Sequence, residues 1–298
     1  MTPETTLLRD STRPSWAGPG PRPVRVTVWP ARRPGPAPTV LLSHGTGGAG
    51  EDLDWLASAL HDAGYLVASV DHHGNSYADE YLVEGFTMVA ERPRDLTLLL
   101  DHLVAHHEVD LDRVGAAGFS LGGYTVAALL GAEIDARVMG ALFAGHVPAP
   151  TVPEFPDLMP ALRAAYPAAE LADLAEASSA SLRDPRLRAG VLLAPGIAGV
   201  LAPASLALVD APVLVRWGDA DDVTPPPQDA QVYADLLPHA VGASVGRDVG
   251  HYVFLGDRDD PTGVRDAVAA DVVAFFDRVL SAPRSAGRHG EPGLDRTD

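Results

Sequence analysis

Short apolar runs along the chain alternate with longer segments of helical period. Residues 24–29 ("VRVTVW") and 39–43 ("TVLLS") read as strands; "EDLDWLASALHDAG" reads as a helix, and residues 65–71 ("YLVASVD") return to a strand. Leu96, Leu99, Leu100 and Leu103 then recur at the spacing of one helical face. Residues 113–119 predict another strand, 121–131 a helix, and 189–194 and 212–217 two later strands, before an amphipathic helix over 262–280. Strand, helix and strand in regular succession predict an α/β fold, built on a mostly parallel twisted sheet flanked by helices.

Three stretches stand outside this rhythm. Residues 1–23 are rich in Pro, Gly and Arg without periodicity, and 282–298 are polar with little to bury, so both are expected to be loose tails around one domain of residues 24–281. Between about 132 and 188 the chain carries proline-punctuated helical patches, far longer than a simple crossover needs. This predicts a helical cap inserted over the carboxyl edge of the sheet. Within it, residues 138–143 ("VMGALF") fit either a strand or a buried helix.

Composition narrows the chemistry. A length of 298 residues, 46% of them hydrophobic, supplies ample core. No apolar stretch approaches the length of a membrane span, and the N-terminus lacks the basic start and apolar run of a signal peptide, which makes the cytoplasm the expected location. A formal charge of −18 with scattered arginines opposes nucleic-acid binding. There is no cysteine, and all 22 basic residues are arginine, so thiolate and Schiff-base chemistry and a P-loop lysine are excluded.

The segment "RVGAAGFSLGGYTVAALLG" places Ser120 between a predicted strand and a predicted helix, with Gly118, Gly122 and Gly123 around it. This is the context of a nucleophile elbow. A serine hydroxyl needs an imidazole to accept its proton and an acid to orient that imidazole. After the later strands only His239, His251 and His289 remain; His289 lies in the polar tail and His239 ends a helical patch, which leaves His251 as the expected base. The acid is expected on the loop "GDADDVTPP", where spacing does not separate Asp219, Asp221 and Asp222. Oxyanion donors are expected from the backbone N–H of Leu121, following the serine, and of Thr46 in the glycine-rich "SHGTGG".

Taken in order, "LLSHGTGG", "DHHGN", "GFSLGG", "DPRLRAGVLLAPG", "GDADDVTPP" and "GHYVFL" resemble the dienelactone-hydrolase-like serine esterases of the α/β-hydrolase superfamily, a group also similar to platelet-activating-factor acetylhydrolases. The resemblance covers about residues 24–280. It implies the α/β-hydrolase fold and hydrolysis of a carboxylic ester, lactone or thioester through an acyl-enzyme, with no cofactor and a small-molecule ester or other acyl compound as substrate. It also selects Asp221, three residues after a glycine and four before a proline, as the acid, with Asp222 second. The chain departs from dienelactone hydrolase itself, whose nucleophile is cysteine, and carries His73 where the pattern has proline.

Other residues carry weaker signals. His102 and His106 sit one helical turn apart, but without the adjacent Glu of a zinc motif they read as a solvated face, and no metal site is expected. His44, His72 and His73 either line the pocket or support its loops. Phe155, Met159 and Tyr166, with Leu158 and Leu162, form either an apolar pocket wall or the core of the cap. A peptidase or acyltransferase would use the same triad, and a non-catalytic ligand-binding protein is the rival from another class; oligomeric state is left open.

Overall fold

The computed structural model describes residues 3–149 and 152–281. Its strands are β1 (Glu4–Pro14), β2 (Pro21–Trp29), β3 (Ala37–Ser43), β4 (Leu66–Asp71), β5 (Val109–Phe119), β6 (Leu187–Leu193), β7 (Val213–Trp217) and β8 (Ala240–Ser244). They form one eight-stranded sheet in the order β1-β2-β4-β3-β5-β6-β7-β8. β2 runs antiparallel to both β1 and β4, and the remaining pairs are parallel. The helices are α1 (Asp54–Asp62), α2 (Val83–Thr87), α3 (Glu91–His106), α4 (Leu121–Leu130), α5 (Ala136–Phe143), α6 (Leu158–Ala165), α7 (Ala168–Ser178), α8 (Pro203–Leu206), α9 (Ala230–Leu236) and α10 (Val264–Leu280). This is the mostly parallel, helix-flanked sheet expected from the alternation, and the α/β-hydrolase fold that the resemblance implies.

The period of two in the central strands divides the core into two layers. Leu41 of β3 and Ala116 of β5 face the leucines of α3 and the apolar side of α4, whereas Val40, Leu42 and Ala117 face α1 and α10. Because both faces are covered, the central strands are apolar throughout, which is why they read as continuous runs.

Two expectations about the ends and the cap change. The segment read as an N-terminal tail contains β1, which pairs with β2 from Glu4↔Val28 to Asp10↔Arg22. β1 is an edge strand that contributes backbone hydrogen bonds while exposing most of its side chains; only Asp10 and Arg13 are buried. A strand that buries almost nothing apolar leaves no period-two signal to find. The open choice over 138–143 resolves as helix α5, capped by the Asp135 carboxylate accepting from Arg137 N–H at 2.9 Å. The expected C-terminal tail, 282–298, lies outside the described residues.

Helices α5, α6 and α7 occupy the insertion between α4 and β6, and Met139, Phe143, Leu162 and Leu171 join the main core rather than a separate one. The insertion meets α2 through Tyr166, whose hydroxyl donates to Glu84 Oε1 at 2.6 Å, and through an edge-to-face contact of Phe155 with Phe86.

Packing across the second layer is close at Gly115 of β5, where an added Cβ would lie 2.5 Å from Phe276 Cε1 on α10. Gly115→Ala is therefore expected to cost about 1–3 kcal/mol through overpacking. Adding Phe276→Leu should restore part of that loss. Urea midpoints of the two variants measure both effects, and an unchanged midpoint for Gly115→Ala alone would mean that the Phe276 ring yields freely.

Candidate active site

β5 ends in a sharp turn at Ser120, whose φ of 54° and ψ of −119° are strained for a residue with a Cβ. Close packing holds the turn. An added Cβ on Gly118 would lie 2.1 Å from Gly122 O, one on Gly122 2.0 Å from Ser43 O, and one on Gly123 2.7 Å from Pro195 Cβ. Backbone hydrogen bonds complete the restraint: Ser120 N–H donates to Leu193 O at 2.9 Å, and Ser120 O accepts from Gly123 N–H at 2.9 Å and Gly196 N–H at 3.2 Å. Ser120 itself is buried but for 8% of its surface.

His251 follows the last strand in a turn of 3-10 helix, with its ring 4.8 Å from that of Phe119, the residue before the serine. Its Nδ1 lies 2.7 Å from Asp221 Oδ2, and both side chains are almost wholly buried. Asp221 is held in turn. Oδ1 accepts from Val223 N–H at 3.0 Å and Thr224 N–H at 2.8 Å, while the Thr224 hydroxyl lies 2.9 Å from Oδ2, 3.1 Å from His251 Nδ1 and 3.2 Å from Ala194 O. Asp219 and Asp222 are exposed on the same loop. The structure thus brings Asp221, not its neighbours, to His251. Thr224 was missed in the sequence, although "DADDVT" places its hydroxyl three residues from the acid, the reach of a local side-chain turn.

The glycine-rich loop after β3 passes beside the serine: an added Cβ on Gly45 would sit 3.3 Å from Ser120 Cβ. Thr46 is half-buried, and no acceptor for its N–H is found among the described residues. Leu121 opens α4, where the first N–H groups of a helix have no intrahelical acceptor. Both N–H groups are in the chemical state an oxyanion site requires.

His44, His72 and His73 are buried, and all three are engaged in hydrogen bonds that support the loops. His44 Nδ1 donates to Gly45 O at 2.6 Å and its Nε2 accepts from His72 N–H at 3.0 Å, which fixes a neutral ring. His72 bridges Ser43 Oγ at 2.9 Å and Asp95 Oδ2 at 3.0 Å, and His73 accepts from Trp16 N–H at 3.1 Å. Imidazoles this buried need partners: backbone groups serve both nitrogens of His44, the Ser43 hydroxyl and the Asp95 carboxylate serve those of His72, and Trp16 N–H serves Nε2 of His73. Phe155, Met159 and Tyr166 lie half-buried in the inserted segment, where Phe155 and Tyr166 contact α2 and Met159 packs on the main core.

Below the loops lies a cluster of buried charge that the sequence reading did not find. Asp95 accepts from Arg22 Nε at 2.9 Å and Nη2 at 3.0 Å, and Arg13 Nη2 lies 2.8 Å from it. Burial alone opposes ionisation of Asp95, but the charge of Arg22 and the hydrogen bonds from His72 and Arg22 hold it well below the usual carboxylate range. Arg92 is equally buried, and burial lowers its guanidinium to about 9, leaving it cationic at neutral pH. A signal existed: Arg92 and Asp95 each precede a leucine of the α3 stripe by four residues, so helical period puts both charges on the buried face.

The sheet order, the elbow and the site beside it define an α/β-hydrolase. The family model described as serine aminopeptidase, S33, matches residues 34–255, and the chain belongs to this family. Family and fold make the protein a hydrolase. Comparison with curated proteins finds no match. Among solved structures the chain is similar to a 2,6-dihydroxy-pseudo-oxynicotine hydrolase (16% identity, TM-score 0.56, 93% of this chain and 68% of that one). It is similar as well to an esterase domain from Rhodothermus marinus (13% identity, TM-score 0.56, 94% of this chain and 100% of that one). A puromycin-hydrolysing peptidase from Mycobacterium tuberculosis aligns at 15% identity and TM-score 0.60, over 94% of this chain and 40% of that one. At such identities the likeness is one of fold.

The buried histidines give stability a pH dependence. Burial, then the charge of Arg92, lowers His72 to about 3 and His44 well below its ordinary value, so both stay neutral in the folded protein. The unfolded chain takes up these protons below pH about 6.5. Stability is therefore present above that pH and falls as pH drops from there toward about 3. The expected slope is about 1.4 kcal/mol per pH unit for each such histidine. Urea unfolding at pH values from about 7 down to about 4 should show it, and His72→Gln should flatten the slope by one histidine's share; an unaltered slope would remove His72 from this account.

Proposed function

We propose that the protein is a serine hydrolase that cleaves a carboxylic ester through an acyl-enzyme, in keeping with the resemblance of its motifs to dienelactone-hydrolase-like esterases. The observation that carries the reading is the buried 2.7 Å contact between His251 Nδ1 and Asp221 Oδ2, with the His251 ring 4.8 Å from that of Phe119, the residue before a serine in a strained strand-to-helix turn. An Nδ1–H committed to a carboxylate leaves Nε2 as the basic nitrogen, the tautomer a general base needs.

In this mechanism Ser120 Oγ attacks the ester carbonyl carbon while His251 Nε2 takes the hydroxyl proton. The carbonyl oxygen becomes an oxyanion held by the N–H groups of Thr46 and Leu121. Asp221 keeps the ring in position and stabilises the imidazolium. The tetrahedral intermediate collapses, His251 returns the proton to the departing alcohol, and the acyl group stays on Ser120. Water, deprotonated by His251, then attacks the acyl-enzyme, and a second collapse releases the acid and restores the serine.

Cleavage of a peptide or aminoacyl amide is the second reading, favoured by the description of the family as a serine aminopeptidase. It uses the same residues, with protonation of the leaving amine by His251 more demanding.

Turnover of p-nitrophenyl esters from acetate to long chains, beside aminoacyl p-nitroanilides, separates the two. Ester turnover is expected to dominate. Ser120→Ala should lower kcat by about 10⁴-fold or more, and Asp221→Asn by about 10³–10⁴-fold. Asp222→Asn should stay within about threefold of wild type, as an exposed carboxylate outside the hydrogen-bonded group. Absence of both turnover and fluorophosphonate labelling in the wild type would overturn the catalytic reading in favour of a binding protein.

A further inference from the structure

The loop carrying Thr46 is fastened on both sides of that residue by side chains from other elements. Asn75, wholly buried in the loop after β4, accepts from Gly47 N–H at 3.1 Å and from Arg92 Nη1 at 2.8 Å through the same oxygen, Oδ1. Arg92 reaches the other end of the turn with Nη2, which donates to His44 O, while its Nε donates to Thr125 Oγ1 at 3.2 Å on α4. The Tyr81 hydroxyl donates to Gly47 O at 2.6 Å. His44 O, Gly47 N–H and Gly47 O are all engaged, and the Thr46 N–H between them is left without an acceptor among the described residues.

The orientation of Asn75 carries a cost that needs a reason. Its Nδ2 is buried with no hydrogen-bond partner among the described residues. Turning the amide over would satisfy nothing, because it would set an N–H₂ against two donors, Gly47 N–H and Arg92. Buried donors are rarely left orphaned. The orphan is accounted for if one oxygen at this point must tie the loop to a fixed cation. Arg92 is well suited to be that anchor: it meets four neutral acceptors and, among the described residues, no carboxylate at ion-pair distance, the nearby Asp95 being taken by Arg22, Arg13 and His72.

We infer that Asn75, Arg92 and Tyr81 are positioning residues that hold the Thr46 N–H where the oxyanion forms. The inference rests on the serine-hydrolase reading above. None of the three touches the reacting atoms. Their effect is felt in the transition state, where an N–H aimed at the oxyanion matters, and little in ground-state binding of the ester.

The test compares Asn75→Ala, Asn75→Asp and Tyr81→Phe with wild type, using a p-nitrophenyl ester and an aryl trifluoromethyl ketone. Ser120 Oγ adds to the ketone carbon, its proton passes to His251, and the ketone oxygen becomes an oxyanion in the same hole. Rates are expressed per serine titrated by a fluorophosphonate, so that loss of folded protein does not count. Asn75→Ala is expected to lower kcat about 10- to 100-fold and to weaken ketone inhibition by the same factor, with KM within about threefold. Asn75→Asp keeps an acceptor oxygen toward both donors and should recover most of both losses. Tyr81→Phe removes one half-buried hydroxyl and should give a smaller parallel loss, so it carries the test if Asn75→Ala does not fold.

Wild-type kcat and ketone inhibition per titrated serine in both Asn75→Ala and Tyr81→Phe would overturn the inference and reduce these residues to a purely structural role. Loss of kcat without loss of ketone inhibition would overturn it too. A wild type that neither turns over esters nor labels with fluorophosphonate would overturn the hydrolase reading itself, and this inference with it.

Discussion

The positive φ at Ser120 is the constraint on which the rest of the site depends. A residue with a Cβ leaves that conformation unless its surroundings over-determine it. Here they do: the turn is closed by backbone hydrogen bonds to Leu193 on one side and from Gly123 and Gly196 on the other. β3 approaches so closely that only hydrogen fits at Gly122. The same close approach brings the loop after β3 against the serine, so strain at Ser120 and proximity of the proposed oxyanion donors have one cause. Two further left-handed residues without glycine, Ala194 and Ile197, lie in the segment after β6 that packs on the elbow. Strain is thus concentrated where the strand ends converge.

A second layer of order comes from buried charge. Ionised groups that lose their water are tolerated only when their partners are nearly complete. Asp95 reaches that condition by drawing partners from distant parts of the chain: Arg13 at the end of β1, Arg22 on β2 and His72 after β4. The edge strand, the antiparallel strand, the loop after β4 and α3 are thereby locked together through one carboxylate. This explains why β1 is ordered despite its nearly bare apolar face. Beyond its backbone pairing with β2, its contribution is Arg13, which also pairs with Asp10 and Glu91, and not a hydrophobic stripe.

What the sequence displayed and what it hid divide along the same physical line. Central strands, the α3 leucine stripe and the elbow were legible because burial of apolar groups has a period, and because "GFSLGG" combines small residues with a strand on one side and a helix on the other. The pairing of Asp221 with His251 needed the fold, since three aspartates share one loop and only the one whose carboxylate is satisfied by Val223 and Thr224 N–H groups points inward. β1 was illegible because its residues alternate neither in polarity nor in burial. His72 and His73 were seen but not placed, for an imidazole at a strand end serves a pocket or a backbone equally well until its partners are known. Arg92 and Asp95 were within reach of helical periodicity, yet charge on an apolar face is easily read as the polar side of a helix.

The overall charge of −18 sets a problem that the buried arginines answer. A surface this acidic resists any negative charge that develops at its centre, and an oxyanion is such a charge. Long-range repulsion from exposed carboxylates is screened within about 8–10 Å by salt. A guanidinium in the interior is not screened in this way, and Arg92 has, among the described residues, no carboxylate at ion-pair distance, so the nearby charge of Asp95 offsets only part of its field. Arg92 lies one hydrogen bond behind the loop, at His44 O, and one residue removed from the proposed donor through Asn75 and Gly47. The group that fixes the loop in place therefore also puts a positive charge behind it. An anchor of neutral hydrogen bonds would supply the geometry alone, whereas a buried cation supplies geometry and field together.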